Sequence, residues 1–420
     1  MTNGKLFDTT KLKELSDKAT PGPWKAEPKR LVIGCVEGPV MSYLYGDAAQ
    51  PEGMRVSLAS ERHADHHFVA ALVNAYQPDI ITVIQDAPYA ETIRNGPFDW
   101  SRYGLVVITP VDGAPVYPQW VEMLKKADGT LSISQFGVDE HRKAGIPSEL
   151  CRPGMNPNVF YRMPDADRLA VRAKLGIEPD AFVLGTVAMN QGRKDYGHML
   201  EAFFRFATDK PNARYLINAD AISPAGWDLN QLCQQHGWDT GKLLFKTQCE
   251  QRSVFELRER YNVMDAHVVL AHREGFGLPL VEAQACGVVS MALDWCSGPE
   301  VCSGGYGVLI PAVKDEYGDY TGYSTWGGAF DKFPDRKAFV EALQRLYDHP
   351  EERRAIAQRG MERARTWTWD ASVDNVVKVL ERVMDKRRAM PQVPLAPMLP
   401  PIPVSVDGVK PSDVFERIGA

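Results

Sequence analysis

Apolar runs of six to eight residues, separated by polar and glycine-containing turns, recur along the chain. These runs are residues 78–84, 103–109, 129–134, 181–188, 213–219, 243–248, 266–271 and 288–293. Stretches with helical spacing lie between most of them. Short apolar runs that alternate with helices are typical of buried strands, so the pattern predicts an α/β fold over most of the chain.

Residues 266–293 combine a strand, a glycine-rich turn, a helix and a second strand. The turn is Glu274–Gly277, and Pro279 follows it where the predicted helix Leu280–Cys286 should begin. Proline suits this place because its fixed φ fits a helix and its missing N–H loses no partner there. The free amides and the dipole at the start of a helix favour negative charge, so this segment predicts an anion site.

Two carboxylates frame the glycine turn. Glu274 precedes the glycines, and Glu282 follows eight residues later in the first turns of the helix. Carboxylates repel phosphate, whereas they accept hydrogen bonds well from hydroxyl groups. An anion site between two such acceptors therefore predicts a ligand with both phosphate and hydroxyl groups, either a nucleotide sugar or a sugar phosphate.

The segment from Glu274 to Gly287 resembles the E-x7-E signature of retaining GT-B glycosyltransferases of family 4. The two glutamates, the GFGLP loop, the EAxACG helix and the later GPEV at residues 298–301 occur in the same order. The resemblance implies a GT-B fold, in which two Rossmann-like domains face a cleft. It also implies front-face transfer from a nucleoside-diphosphate sugar without a metal. The alternative is an ordinary βαβ unit whose acidic pair lies on a solvated face.

The resemblance implies a role for individual residues. Glu274 would hold the sugar hydroxyls and Glu282 the ribose hydroxyls, while Asp112 would contact the acceptor. The predicted catalytic residues are Glu274, Asp112 and Lys194, and the predicted donor-binding residues are Arg193, Lys194, Gly275, Phe276, Gly277, Leu278, Glu282 and Gln248. No metal and no cofactor are expected, and the nucleotide sugar is a substrate.

Two positions depart from the family's pattern. Met189 and Asn190 stand where the family has an arginine, so Arg193 would join Lys194 on the donor diphosphate. The alternative is a polar loop with both cations in solvent. Asp112 stands where many relatives have a histidine that touches the acceptor, and the surrounding PVDGAP is also favourable turn chemistry. Asp112 is therefore either an acceptor contact or a turn former.

Residues 1–76 are predicted to form an atypical N-terminal module. Their segments LKELSDKATPGPW and RHADHHFVAALVNAY resemble small phage-encoded proteins of the Ea22 type, which hints at a phage origin. Leu31–Gly38 is a weak copy of the first strand and glycine loop of a GT-B enzyme, so the first domain is predicted to be abbreviated or atypical. His63, His66 and His67 share a helical face, either as metal ligands or as a solvated cluster.

The rest of the chain is divided by these patterns into four parts. Residues 77–160 are predicted to complete the acceptor-side Rossmann-like domain, and residues 161–370 to form the domain that binds the nucleotide sugar. Residues 371–388 are predicted to be a helix that crosses back, and residues 389–420 a proline-rich tail. The aromatic, glycine-rich insertion 314–328 is either an acceptor loop or lid, or a mobile surface loop.

Composition narrows the class of protein further. A chain of 420 residues can bury two large cores, and a net charge of −6 gives no overall attraction to nucleic acid or anionic membranes. No run of 18 apolar residues occurs and the N-terminus lacks the apolar core of a signal peptide, so neither a membrane span nor secretion is expected. Seven cysteines without a C-x-x-C motif predict a reduced, cytoplasmic setting.

The sequence thus predicts a retaining, metal-independent glycosyltransferase that uses a nucleoside-diphosphate sugar. A modified base of phage DNA or a protein is a candidate acceptor, although the acidic pI of about 5.9 argues against DNA. The alternative is a non-catalytic scaffold or sensor that binds sugar nucleotides. The weak first glycine loop and the absent arginine favour this alternative, whereas the intact glutamate pair opposes it.

Overall fold

A computed structural model describes residues 32–35, 55–58, 79–95, 100–245, 253–316, 318–319, 321–324 and 328–389. The strands are β1 (Val32–Cys35), β2 (Arg55–Leu58), β3 (Ile80–Ile84), β4 (Gly104–Thr109), β5 (Gly129–Ser132), β6 (Glu149–Leu150), β7 (Phe182–Val187), β8 (Ala213–Asn218), β9 (Leu243–Leu244), β10 (Ala266–Val269), β11 (Val289–Leu293), β12 (Val308–Ile310), β13 (Lys314–Asp315), β14 (Gly318–Asp319), β15 (Thr321–Tyr323) and β16 (Phe330–Lys332).

The helices follow the strands in the alternation that the sequence predicts. They are α1 (Ala87–Arg94), α2 (Pro118–Lys125), α3 (Gln135–Lys143), α4 (Asp165–Lys174), α5 (Tyr196–Phe206), α6 (Leu229–His236), α7 (Val254–Val263), α8 (Leu278–Ala285), α9 (Gly298–Cys302), α10 (Arg336–Asp348), α11 (Pro350–Ala364) and α12 (Trp369–Arg388). Among the described residues, none of the helices is both long and apolar enough to cross a membrane.

The larger sheet has six parallel strands in the order β12-β11-β10-β7-β8-β9. Every residue of β7, β10 and β11 is buried, as expected for apolar strands covered on both faces. Helix α5 lays its apolar side on this sheet, where the ring of Phe203 lies 5.0 Å from that of Tyr215. Burying each such side chain contributes roughly 2 kcal/mol to the stability of the folded state.

The smaller sheet has four strands in the order β3-β4-β5-β6, and β5 pairs with β6 in parallel. Strands β1 and β2 form a separate parallel pair. The sequence suggested a hairpin of residues 30–36 with residues 40–45. The structure instead pairs β1 with β2, and residues 40–45 lie outside the described part of the chain.

The chain divides into two compact units. The first consists of residues 1–107, 127–129 and 380–420, and the second of residues 108–126 and 130–379. The predicted boundary at residues 160–161 falls inside the second unit, and the predicted domain limits stay predictions.

In the first unit, β1 lies beside β3, and the end of α12 packs against the start of β4. A Cβ atom on Gly104 would lie 2.8 Å from Cγ1 of Val383, so this approach requires a glycine. The Asp128 carboxylate accepts a hydrogen bond from the Leu105 N–H at 3.0 Å and lies 3.3 Å from the Lys386 ammonium. These contacts fix the last part of α12 on this unit.

In the second unit, the segment before α12 passes close to the loop after β6. The Met155 N–H donates to the Trp367 carbonyl at 2.7 Å, and a Cβ on Gly154 would lie 2.2 Å from the Trp369 nitrogen. The side-chain amide of Asn375, six residues after Trp369, donates to the Leu150 carbonyl at 3.0 Å. The beginning of α12 therefore belongs to this unit.

Most predicted elements are present in the structure. The sequence pattern predicts helices over residues 229–236 and 336–348, and the structure has helices with those bounds. The apolar run at residues 181–188 is β7. Helix α3 was not predicted, because its sequence QFGVDEHRK is largely polar; Ser134 caps it by accepting the Gly137 N–H at 3.1 Å. The insertion 314–328 contributes strands β13 to β15, and β15 pairs with β16 just beyond it.

Candidate active site

Two loops of the second unit meet at an ion pair between Lys194 and Glu274. Lys194 ends a 3-10 turn, Gly192–Lys194, in the loop after β7, and Glu274 lies in the loop after the neighbouring strand β10. Parallel neighbouring strands end at the same edge of a sheet, so residues 80 positions apart become partners. The two side chains are 12% and 18% exposed, so the pair is largely buried and keeps a small exposed surface.

Further contacts join the same loops. The Arg193 guanidinium donates to the Arg273 carbonyl at 2.7 Å and lies 3.9 Å from the Glu274 carboxylate. The His272 N–H donates to the Arg193 carbonyl at 2.8 Å. Burial alone would raise the pKa of Glu274, but Lys194 and Arg193 outweigh it and hold this pKa below its ordinary value. Two cations and one ionised carboxylate leave a net positive charge for an anionic ligand.

Helix α8 begins at the glycine turn without a side-chain cap. Its N-cap residue is Gly277, whose φ of 86° is a left-handed conformation that other residues rarely adopt. Gly275 packs closely against Pro110, since a Cβ on this glycine would lie 3.0 Å from Cβ of the proline. The Phe276 N–H also helps to lower the pKa of the Glu274 carboxylate. The uncapped start of α8 therefore lies beside the ion pair, as an anion site requires.

Phe276 and Leu278, both predicted to bind the donor, lie in different surroundings. The Phe276 ring is 2% exposed and lies 5.6 Å from the Trp367 ring, so the side chain belongs to the core. Leu278 is the first residue of α8 and is half-buried. A donor contact of Phe276 would therefore use its backbone.

Glu282 lies inside α8 and is 4% exposed. Its carboxylate accepts a hydrogen bond from the hydroxyl of Tyr261 in α7 at 2.7 Å. Tyr261 is itself fully buried, with its ring 5.9 Å from that of Phe160. Sequence reasoning missed this support, because no local pattern joins the two residues. The predicted role of Glu282 toward ribose stays a prediction, and Gln248 lies outside the described residues.

Asp112 lies in the loop after β4, with its side chain 34% exposed. Its carboxylate lies 3.6 Å from Nη1 of Arg273. Burial lowers the pKa of Lys194, and the charge of Asp112 is among those that oppose this shift. Asp112 and Lys194 are therefore within electrostatic reach of each other, and their predicted roles stay predictions.

The loop between β11 and α9 supports both acidic residues. The Cys296 thiol donates to the Asp112 carbonyl at 3.2 Å, and the Ser297 hydroxyl donates to the Glu274 carbonyl at 2.9 Å. Cys296 has a φ of 53°, which is rare for a residue with a side chain. A strained backbone at such a position is typical of a site whose geometry is fixed by its surroundings.

Asn190 has a structural role at the position where the family has an arginine. Its amide donates to the carbonyls of Asp220 and Trp227 at 2.9 and 2.8 Å, and its oxygen accepts the Trp227 N–H at 3.0 Å. The residue is 3% exposed. Asn190 therefore closes the loop that carries Arg193 and Lys194, and neighbouring Met189 is 68% exposed.

Asp195, His198 and His272 form the one group of possible metal ligands in the described part of the chain. Oδ2 of Asp195 lies 2.7 Å from Nδ1 of His198 and 2.9 Å from Nε2 of His272. Ligands of a tetrahedral zinc would lie about 3.3 Å apart, given zinc–ligand bonds of about 2 Å. Both separations are shorter than this. The contact of His198 is a hydrogen bond, whereas the buried Nε2 of His272 has no hydrogen-bond partner among the residues that the structure describes, despite its approach to Asp195. Burial would raise the pKa of Asp195, but the two imidazoles lower it to about 2.

The chain is similar to known glycosyltransferases in its second unit. Residues 167–320 match the family model described as "Glycosyl transferases group 1". A D-inositol 3-phosphate glycosyltransferase from Stackebrandtia nassauensis is 26% identical over 266 residues, which are 63% of this chain and 55% of that protein. The chain thus spans about half the length of this relative.

Two solved structures resemble the whole architecture. Sucrose-phosphate synthase from Thermosynechococcus elongatus has a TM-score of 0.65 at 16% identity, covering 85% of this chain and 100% of that one. Anabaena HepE, solved in complex with UDP-glucose, has a TM-score of 0.62 at 14% identity, covering 84% and 99%. The protein therefore has the GT-B fold, as the sequence predicts, and its residues 167–320 are similar to group 1 glycosyltransferases.

Proposed function

We propose that the protein is a retaining glycosyltransferase that moves a sugar from a nucleoside-diphosphate sugar to a hydroxyl group of an acceptor. The observation that carries this proposal is the Lys194–Glu274 ion pair, with Arg193 and the uncapped start of α8 beside it. Cations and helix amides suit a diphosphate, and an ionised carboxylate suits sugar hydroxyls.

Each charged group of the site has a task in this proposal. The diphosphate lies against Lys194, Arg193 and the first amides of α8. Negative charge grows on the leaving phosphate as the glycosidic bond breaks, so these donors stabilise the transition state more than the ground state. Glu274 already accepts a hydrogen bond from Lys194. A carboxylate has about four acceptor sites, so capacity remains for sugar hydroxyls.

Glu282 binds the ribose hydroxyls in this proposal, and Tyr261 fixes the orientation of its carboxylate. The transfer itself follows the front-face route. The acceptor oxygen forms a bond to the anomeric carbon, and the bond from that carbon to the phosphate oxygen breaks. Its electron pair leaves on the nucleoside diphosphate, and the acceptor proton passes to a phosphate oxygen. No metal is needed, because the cations and amides supply the positive charge.

The names of the similar proteins support a sugar-nucleotide donor. One relative is a D-inositol 3-phosphate glycosyltransferase, and HepE was solved with UDP-glucose. We propose the same class of donor here, an acceptor that is a modified DNA base or a protein, and a cytoplasmic location. The comparisons do not favour a non-catalytic scaffold.

A thermal-shift panel of UDP-, GDP-, ADP- and dTDP-sugars tests donor binding. A ligand that binds only the folded state stabilises it by about 2.7 kcal/mol at 100 times its dissociation constant. We expect one nucleotide series to raise the melting temperature of the wild type and to have a smaller effect on Lys194→Met. No shift with any of the four series would contradict the proposal.

A further inference from the structure

Arg273, the residue before Glu274, lies at the centre of a network outside the proposed donor site. Its Nε donates to Oδ1 of Asp331 at 2.6 Å, and its Nη1 donates to the hydroxyl of Tyr117 at 2.6 Å. The same Nη1 lies 3.6 Å from the Asp112 carboxylate. The guanidinium is 11% exposed. This buried cation therefore contacts three side chains from two distant segments of the chain.

These partners join the β15–β16 hairpin to the loop between β4 and α2. Asp331 lies on β16, whereas Asp112 and Tyr117 lie in that loop. A backbone hydrogen bond joins the same two segments, since the Phe330 N–H donates to the Ala114 carbonyl at 2.8 Å. The hairpin β15–β16 is thus attached to the loop that carries the predicted acceptor residue.

The close packing of the loop leaves no room for a larger residue beside Arg273. A Cβ on Gly113 would lie 2.7 Å from Cδ of Arg273 and 3.1 Å from Cβ of Ala329. Lys332, the next cation along β16, points elsewhere, with its ammonium 4.4 Å from the centre of the Trp295 ring. Arg273 is therefore the cation that faces both carboxylates.

Asp331 and Asp112 differ in how closely they approach the Arg273 guanidinium. Asp331 forms a short hydrogen bond to Arg273, while Asp112 lies a further 1 Å away and is the more exposed, at 34% against 18%. Burial would lower the pKa of Arg273, but Asp112, Tyr117 and Asp331 raise it above its ordinary value. The guanidinium stays charged, and Asp112 keeps acceptor capacity for a hydroxyl group.

We propose that Arg273 is a positioning residue that holds Asp112 and the β15–β16 hairpin as one acceptor-side wall beside the donor site. The inference depends on the proposed function for the identity of the two substrates, but the anchoring itself does not. Arg273 contacts the acceptor-side groups through its side chain. On the donor side, its carbonyl only accepts from Arg193. Its side chain should therefore affect turnover and hairpin order more than donor affinity.

Arg273→Met tests this inference with three measurements on the full chain. Hydrogen exchange at the Phe330 amide should become at least about tenfold faster. Release of nucleoside diphosphate from the donor selected by the panel should fall at least about tenfold, with or without an acceptor. The dissociation constant for UDP, or for the diphosphate of the selected series, should change by less than about threefold.

Arg345→Met is the matched control, because Arg345 pairs with Glu352 on the surface of the same unit and lies outside the network. It should leave all three quantities unchanged. Arg273→Lys should restore turnover in part, since an ammonium keeps the charge but lacks the fork that reaches Asp331 and Tyr117 together. If Arg273→Met does not fold, Asp331→Asn should produce the same fast exchange and slow turnover.

Three outcomes would overturn the inference. One is unchanged exchange at Phe330 in both Arg273→Met and Asp331→Asn. Another is unchanged turnover in a variant whose hairpin has loosened. The third is a loss of diphosphate affinity equal to the loss of turnover, which would make Arg273 part of the donor site. Failure of the wild type to bind any diphosphate would instead contradict the proposed function, and the exchange measurement would still test the anchoring.

Discussion

Lys194 forms an ion pair with Glu274, a residue 80 positions later in the chain, in the loop of a neighbouring strand. The pair depends on the parallel order of β7 and β10, which brings both loops to one edge of the sheet. It joins a group suited to phosphate with a group suited to hydroxyls. The proposed donor site thus depends on strand order as much as on the sequence from Glu274 to Glu282.

Removing the ammonium from this pair should weaken donor binding. We expect Lys194→Met to raise the dissociation constant for the matching nucleoside diphosphate at least about tenfold, or about 1.4 kcal/mol. It should also lower the melting temperature, because Glu274 loses its nearest counter-ion. Isothermal titration calorimetry measures the first effect. Lys194→Arg should retain most of the affinity, and equal affinity in Lys194→Met and wild type would show that Lys194 does not contact the diphosphate.

Gly277 offers a test of the turn at the start of α8. Its φ of 86° means that Gly277→Ala should cost about 1–2 kcal/mol of unfolding free energy. Gly176→Ala is the matched control, since Gly176 has a φ of 70° and a Cβ there would touch nothing within 4 Å. Denaturant unfolding should give a larger loss for Gly277→Ala, because its Cβ would also lie 2.9 Å from Cδ1 of Leu280. Calorimetry should give weaker diphosphate binding for Gly277→Ala alone. Equal binding by the two variants would argue against an anion site at this turn.

Asp265 should contribute more to stability than any surface ion pair. It accepts the Val183 N–H at 2.9 Å and lies 2.9 Å from Arg172 and 3.3 Å from Arg353. Replacing it by alanine leaves the buried Arg172 without its carboxylate, which costs about 3–5 kcal/mol in comparable pairs. Glu352→Ala, which breaks a surface pair, should cost less than about 1 kcal/mol. Denaturant unfolding measures both, and similar losses would contradict the assignment of Asp265 as a structural centre.

His198 should make the stability of the protein depend on pH. A hydrogen bond with Asp195 raises the pKa of His198 above its ordinary value, although burial and Arg336 oppose this. A raised pKa in the folded state means that the stabilisation is complete below the unfolded pKa of about 6.5 and is lost as the pH rises through the folded value.

Asp195→Asn removes the charge but keeps a residue that can cap a helix and adopt the φ of 54° found here. The difference in unfolding free energy between wild type and this variant should be largest near pH 5.5 and smaller near pH 8.5. NMR titration should show the pKa of His198 falling in the variant. A difference that grows with pH, or an unchanged pKa of His198, would contradict the prediction.

The strands and helices of the second unit were predictable because their information is local. β7, β10 and β11 are apolar runs between glycine-containing turns, and α10 has a clear apolar face. Helix α3 was missed because it is short and largely polar, and its one clear signal is the capping residue Ser134. A capping serine without an apolar face predicts a helix only weakly.

A contiguous motif predicts the residues of the proposed donor site, whereas the contacts that hold these residues in place were not predictable. The hydrogen bond between Tyr261 and Glu282 joins two helices, and the Arg273 network joins three segments of the chain. Neither leaves a periodic pattern in the sequence. The sequence alone shows Asn190 only as a departure from the arginine of the family. Its structural role in closing the loop depends on its hydrogen bonds to Asp220 and Trp227, which are distant in sequence.

Nucleoside-diphosphate release by wild type and Glu274→Gln, from the sugar nucleotide that the thermal-shift panel selects, tests the central claim most directly. Glutamine keeps the size of the side chain but cannot pair with Lys194 as an anion. We predict that the wild type releases the diphosphate from the donor. Glu274→Gln should bind the free diphosphate with similar affinity but release it from the donor at least about 100-fold more slowly. Equal rates for the two proteins, or no release by a wild type that binds the donor, would contradict the proposed glycosyl transfer.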